Sequence, residues 1–383
     1  MNYYLMNKDE RILSFHTEER LGSTVSVEDT YYSGNLPFGF TDVTTWLNKR
    51  DYAKHKQHFQ KWLREWNMDS VDGFIATTHC LGINDCLWVK QVDSELRWDN
   101  VSLYTNEFSD IASQTAFDTG LHGLQLSSTS PEFTAEGSFP KFWKSEKSGI
   151  YLYKAGQTGA MNVGLEPYAE FMASKIAAEI ASQPVVNYDL VKYKSKLCSK
   201  CHLFTSEDTG FVPMYQILDP QHSYLISEII DICKELGYEQ ECAEMFFVDS
   251  LIFNQDRHLG NFGFLVDNEN FSIKGFAPLF DFNVSMLCNA TNDDLNHIDD
   301  YLSEYNVGHK LGGTFTDVGK ALATQYGFKL TSAVEFPVHG RYNMEDERNK
   351  LLKHIMENNA YYISGKSLKF VRPVCITTLP SKS

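Results

Sequence analysis

The stretch from residue 254 to residue 283 constrains this chain more than any other. Phe262, Phe264 and Val266 alternate with Gly263 and Leu265, Asp267-Asn268-Glu269-Asn270 supplies turn residues, and Phe271, Ile273 and Gly275 begin a return. Two such runs about a polar turn make a β-hairpin, and a hairpin brings the chain back to where it left. Asn261 precedes it and Asp281 follows it, so the two are expected side by side. Asp256 lies one short loop upstream of Asn261. This is a phosphoryl-transfer pattern: the first aspartate accepts the proton of an attacking hydroxyl, and the asparagine and second aspartate hold magnesium against nucleotide phosphates. Magnesium takes hard oxygen ligands and keeps several waters, so one carboxylate and one amide oxygen suffice from the protein. The competing reading is an exposed polar loop that holds these residues by chance.

The block Asn254-Gln255-Asp256-Arg257-His258-Leu259-Gly260-Asn261 resembles the catalytic loop of the HipA-like serine/threonine kinases, which carry an N-x-D-R-H-x-x-N run and place a metal aspartate after a hairpin. Its order is Asp-Arg-His, where ordinary protein kinases have His-Arg-Asp, but the Asp-to-Asn interval is the same. The resemblance implies an α+β, two-lobed protein-kinase-like fold, with a small mixed β lobe and a mostly helical large lobe. It covers about residues 124–365. The expected division is 1–120 as an accessory region, 121–220 as the small lobe, and 221–383 as the large lobe with the catalytic loop and a C-terminal tail.

Upstream, Ile150-Tyr151-Leu152-Tyr153-Lys154 alternates as a strand and puts Lys154 on the face of Ile150 and Leu152. A lysine on an apolar face needs a partner, because an unpaired buried charge is costly. Glu166-Pro167 then opens a helix, proline being tolerated in a first turn, with Met172, Ile176 and Ile180 as its apolar stripe. By the resemblance Lys154 binds ATP phosphate and Glu170 pairs with it, with Glu166 as the alternative. A glutamate favoured only by the helix dipole is the plainer explanation. Residues 127–141 stand where the family has its phosphate-covering loop, so Gly137, Ser138 and Lys141 are expected near ATP. The single Gly137 and the many hydroxyls depart from the glycine-rich pattern. Related kinases phosphorylate a serine in this loop, which makes Ser128 and Ser130 the candidates for autophosphorylation. Otherwise these hydroxyls satisfy turn backbone.

Elsewhere the reading is coarser. Residues 1–36 read as polar and irregular. Thr41-Asp42 caps a helix reaching Trp66, with Phe59, Trp62, Leu63 and Trp66 on one face and lysines on the other. Strands and turns are expected over 185–219, and helices over 223–236, 241–253, 316–326 and 344–359. Cys198-Ser199-Lys200-Cys201-His202 matches a haem-attachment string or half a zinc site, but no second cysteine pair follows at ligand spacing. Ordinary thiols are the simpler assignment.

A net charge of −16, from 34 basic and 50 acidic residues, argues against direct nucleic-acid or membrane binding by the chain as a whole, leaving room for a local basic patch. Residues 1–20 lack a secretory apolar core and no run of eighteen apolar residues appears, so a cytoplasmic location is expected. The expected activity is transfer of the ATP γ-phosphate to a protein serine or threonine, with ATP and Mg2+ as cofactors, Asp256 as the base, and Asn261 and Asp281 as metal ligands. By the resemblance the partners are a protein substrate and a helix-turn-helix antitoxin, the chain acting as the toxin. The alternatives are a small-molecule kinase and a non-catalytic nucleotide-binding partner module.

Overall fold

In the computed structural model the described residues are 1–20, 23–50, 70–106, 141–157, 164–219, 221–330, 333–366 and 368–371. They form a mixed α+β structure of two units. The first comprises Met1–Ala155, Tyr193–Ser223 and Leu259–Ala277, and the second Gly156–Lys192, Tyr224–His258 and Pro278–Ser383.

The N-terminal residues are not irregular, which corrects the expectation for 1–36. Strands β1 (Asn2–Asn7), β2 (Glu10–Arg20), β3 (Ser23–Tyr31) and β4 (Leu87–Gln91) form an antiparallel sheet in the order β3-β2-β1-β4. Tyr3 and Leu5, and Leu13 and Phe15, alternate with other residues and are buried. A sheet needs only one apolar face, so a polar composition concealed a period-two core. Helices α1 (Val43–Arg50) and α2 (Val71–Thr78) contribute Val43, Trp46, Leu47, Phe74 and Ile75 to that core. The expected cap of α1 is present, the Thr45 amide donating to Asp42 Oδ1 at 2.8 Å. Phe59, Trp62, Leu63 and Trp66 lie outside the described residues.

A second cluster of the first unit joins Trp88, Leu103 and Trp98, from the short helix α3 (Trp98–Val101), to Ile150 and Leu203. Glu207 fastens it, accepting hydrogen bonds from Trp98 Nε1 (2.6 Å) and Ser102 Oγ (2.9 Å). Strands β5 (Lys141–Glu146) and β6 (Gly149–Ala155) pair antiparallel. Strand β7 (Tyr188–Tyr193) returns the chain from the second unit, and β8 (Lys196–His202) pairs with the other edge of β6. Then β9 (Thr209–Pro213), β10 (Gly263–Asp267) and β11 (Ile273–Phe276) make a sheet ordered β11-β10-β9. The hairpin expected from the sequence is β10-β11, closed at its foot by the Ala277 amide donating to the Gly263 carbonyl at 2.9 Å. Its tip is tied to the N-terminal sheet, Asn7 Nδ2 donating to the Asn268 carbonyl at 2.6 Å.

The second unit is mainly helical. It contains α4 (Glu166–Ile180), α5 (Ile226–Glu235), α6 (Glu239–Ile252), α7 (Asn292–Asn296), α8 (Ile298–Glu304), α9 (Phe315–Tyr326) and α10 (Asp346–Ser364). A parallel pair, β12 (Ala333–Glu335) and β13 (Lys369–Val371), completes it. Helix α6 is buried at every residue from Cys242 to Ile252, as a helix packed on all sides must be. Helices α4, α5, α9 and α10 surround it.

Gly263, at the start of the hairpin, faces β9 so closely that a Cβ would stand 2.1 Å from the Val212 carbonyl oxygen. The obstruction is backbone, which cannot swing aside as a side chain would. Gly263→Ala should therefore lower stability by about 1–3 kcal/mol or more. Urea titration followed by far-UV circular dichroism checks this, and an unchanged midpoint would contradict it.

Candidate active site

Helix α6 ends at Phe253, in the left-handed region (φ 54°), with its amide bonded back to the Asp249 carbonyl. The Asp249 side chain is buried and collects the motif that follows. Asn254 Nδ2 donates to Asp249 Oδ1 (2.9 Å), Arg257 Nη2 to the same oxygen (3.0 Å), and Arg257 Nε to Oδ2 (2.8 Å). This is a bidentate arginine–carboxylate pair, only 1% exposed on each side. Burial alone would lower the Arg257 pKa; Asp249 and, more weakly, Asp281 act against it, and the net shift is upward.

With Asn254 and Arg257 drawn inward, the two residues between them, Gln255 and Asp256, are left half-buried. The Asp256 amide donates to Asn254 Oδ1 (3.3 Å), the Gln255 amide to the Val284 carbonyl (2.9 Å), and the His258 amide to the Asp256 carbonyl (2.8 Å). The loop backbone is thus fixed while the Asp256 side chain stays 28% exposed. A fixed, partly exposed carboxylate can accept a proton from a docked hydroxyl.

Asp281 is held from two directions. Upstream, the Leu279 amide donates to the Pro184 carbonyl (2.9 Å) and the Val186 amide to the Leu279 carbonyl (2.8 Å), forming a parallel bridge. At the residue itself the amide donates to Tyr188 Oη (3.2 Å), and the backbone is left-handed (φ 59°). Aspartate tolerates that region better than most residues. Arg257 Nη1 donates to the Phe280 carbonyl (2.5 Å), and the guanidinium lies 5.4 Å from the centre of the Phe282 ring. One arginine therefore ties the loop that carries Asp256 to the segment that carries Asp281.

The other expected residues are distributed as follows. Asn261 belongs to the first unit and is buried; its neighbours Leu259 and Phe262 accept backbone hydrogen bonds from Tyr215 (3.1 Å) and Met214 (2.9 Å). Lys154 is also in the first unit, buried on β6 between Lys141 of β5 and Ser199 of β8. Glu170 is in the second unit, buried on α4. Glu166 is also buried, accepting from the amides of Gly164 (2.7 Å) and Gln157 (3.3 Å). Its carboxylate thereby closes the connection into α4. Gly137, Ser138, Ser128 and Ser130 lie outside the described residues. Asn261 carries an amide oxygen and Asp281 a carboxylate oxygen, each by itself a hard donor of the kind magnesium takes. The sequence reading missed Asp249, Tyr188 and Lys310, whose Nζ lies 3.5 Å from Asp256 Oδ1. Asp249 was legible in principle, as a lone acid in the apolar run from Met245 to Phe253.

Removing one member of a buried ion pair strands the other. Asp249→Ala should cost about 3–5 kcal/mol, and Arg257→Lys should also destabilise, because an ammonium lacks the planar fork. Chemical denaturation measures both. A loss below about 1 kcal/mol for Asp249→Ala would place the pair among weakly coupled surface contacts.

No family model and no curated protein matches the chain. Solved structures do. One is a complex of Shewanella oneidensis MR-1 containing the toxin–antitoxin proteins HipA and HipB with operator DNA. It matches with a TM-score of 0.50 at 8% identity, covering 95% of this chain and 97% of that one. The Helicobacter pylori proinflammatory kinase CtkA matches with a TM-score of 0.48 at 15% identity, over 60% of this chain and 90% of that one. Over nearly its whole length, therefore, the chain has a HipA-like fold.

Proposed function

We propose that this chain is a two-lobed, ATP- and magnesium-dependent kinase that phosphorylates a serine or threonine of a protein. The observation that carries this reading is the Asp249–Asn254–Arg257 anchor. It leaves Asp256 partly exposed and ties its loop to the segment of Asp281. In this reading the attacking hydroxyl donates a hydrogen bond to Asp256. Its oxygen bonds to the γ-phosphorus, its proton passes to Asp256, and the bond to the β,γ-bridging oxygen breaks with that oxygen keeping the electron pair on ADP. Asn261 and Asp281 would hold magnesium, whose charge offsets that of the phosphates. Lys154 binds phosphate and Glu170 holds the lysine in place. The protein positions and neutralises; it forms no covalent bond of its own.

The Shewanella HipA structure contains HipB and operator DNA. By analogy we assign this chain the role of a toxin with a small DNA-binding antitoxin partner in the cytoplasm. Phosphorylation of Ser128 or Ser130 would place up to two negative charges beside the nucleotide's own and repel the loop. No helix among the described residues is long and apolar enough to cross a membrane.

Two substitutions test the core of the proposal. Asp256→Asn keeps size and loop hydrogen bonding but cannot take a proton. Transfer of labelled phosphate should fall by about 10²–10⁴-fold with the melting curve and ATP affinity retained. Near wild-type transfer would remove Asp256 from the chemistry. Asp281→Ala should abolish the magnesium dependence of ATP binding in calorimetry. Unchanged magnesium-dependent affinity would put the metal elsewhere.

A further inference from the structure

Lys310 lies in a turn built to hold it. Residues 308–313 close on themselves, the His309 amide donating to the Gly313 carbonyl (3.0 Å) and the Gly312 amide to the His309 carbonyl (2.9 Å). Gly312 and Gly313 are left-handed (φ 100° and 89°), and a Cβ on Gly308 would stand 2.5 Å from the Gly313 oxygen. The turn is pinned through His309, which is buried and hydrogen-bonded through Nε2 to Ser250 Oγ on α6 (2.9 Å). Its ring lies 4.8 Å from that of Phe315 and 6.2 Å from that of Phe246. Burial pushes the imidazole down to about 4, so the anchor is neutral near pH 7. The next residue, Lys310, is 57% exposed and has its ammonium 3.5 Å from Asp256 Oδ1. An ordinary surface ion pair has no such mounting and contributes little.

The position of the transferring group relative to Asp256 follows from the reaction. A hydroxyl bonded to this carboxylate lies about 2.6–3.2 Å from it, and its oxygen must come within about 3–3.5 Å of the phosphorus it attacks. The phosphoryl oxygens therefore fall within the sweep of the Lys310 side chain, which has four methylenes and a solvent-exposed head. We propose that Lys310 is a catalytic residue that bridges Asp256 and the γ-phosphoryl group and neutralises the charge that develops on it during transfer. It is the cis-supplied cation of this site, provided by the 308–313 turn of the second unit. A cation in that role is worth orders of magnitude in turnover. The proposal rests on the kinase reading and names a residue that the catalytic-loop motif does not contain.

The test compares binding of a non-hydrolysable ATP analogue and of ADP, both in magnesium, to wild type, Lys310→Met and Lys310→Arg. Lys310→Met should weaken the analogue by about tenfold or more, the size of one charge-assisted hydrogen bond, and leave ADP within about twofold, since ADP lacks the γ-phosphate. Arg should restore most of the difference. Turnover of Lys310→Met should fall by about 10²-fold or more, with an unshifted melting curve. Equal affinities of wild type and Lys310→Met for the analogue would overturn the role of Lys310 and leave the kinase reading standing. Wild type that binds neither nucleotide would overturn both.

Discussion

The bidentate pair between Arg257 and Asp249 is the interaction on which the rest of the second unit's site depends. A guanidinium and a carboxylate, each about 1% exposed, lose their hydration on burial and persist only because geometry and extra hydrogen bonds compensate. Here the extra bonds come from Asn254 and from the Phe280 carbonyl. That arrangement forces a direction on the chain. With the residues on either side of Asp256 and its neighbour pulled toward α6, Asp256 cannot also turn inward. The exposure of the proposed base follows from the burial of the residues beside it.

Much of this could be read in advance where local pattern and tertiary demand coincide. The hairpin at 263–276 was legible because its alternation and its turn residues agree, and α4 because Glu166-Pro167 marks its start. The strand carrying Lys154 was legible for the same reason as the hairpin. The N-terminal sheet was not, since strands with one wet face hold as many polar as apolar residues and composition averages the signal away. Tyr188 was missed because its role arises from a contact 93 residues along the chain, and Asp249 because a lone acid in an apolar run does not say which nearby side chains it will collect. The proposed roles of Asn261, Lys154 and Glu170 come from motif position and resemblance, and binding measurements decide them.

Asn254 and Arg257 show why a motif can mix two kinds of residue, and Glu166, outside that motif, is used in the same way. Each is a polar side chain that spends its hydrogen bonds on the protein's own backbone and carboxylates. Asp256 and Lys310, by contrast, are partly exposed, at 28% and 57%. The string N-x-D-R-H thus interleaves scaffolding with chemistry, at a spacing set by the need to bring both to the end of one buried helix.

The hydrogen bond from Asn7 to the carbonyl of Asn268 joins residues 261 positions apart. During synthesis at about 5–20 residues per second, the N-terminal strands emerge roughly 13–50 s before the hairpin tip they will hold. Over that interval Trp88, Trp98 and Ile150 can gather and β1 can pair with β2 and β4, but Asn7 lacks the carbonyl to which it will donate. Non-local pairing of this span is slow to form and leaves surface exposed meanwhile. The chain therefore matures late, and its hairpin is docked only after nearly three-quarters of the polypeptide exists. A nascent chain stalled before residue 268 would hold a nearly complete sheet with no hairpin to anchor.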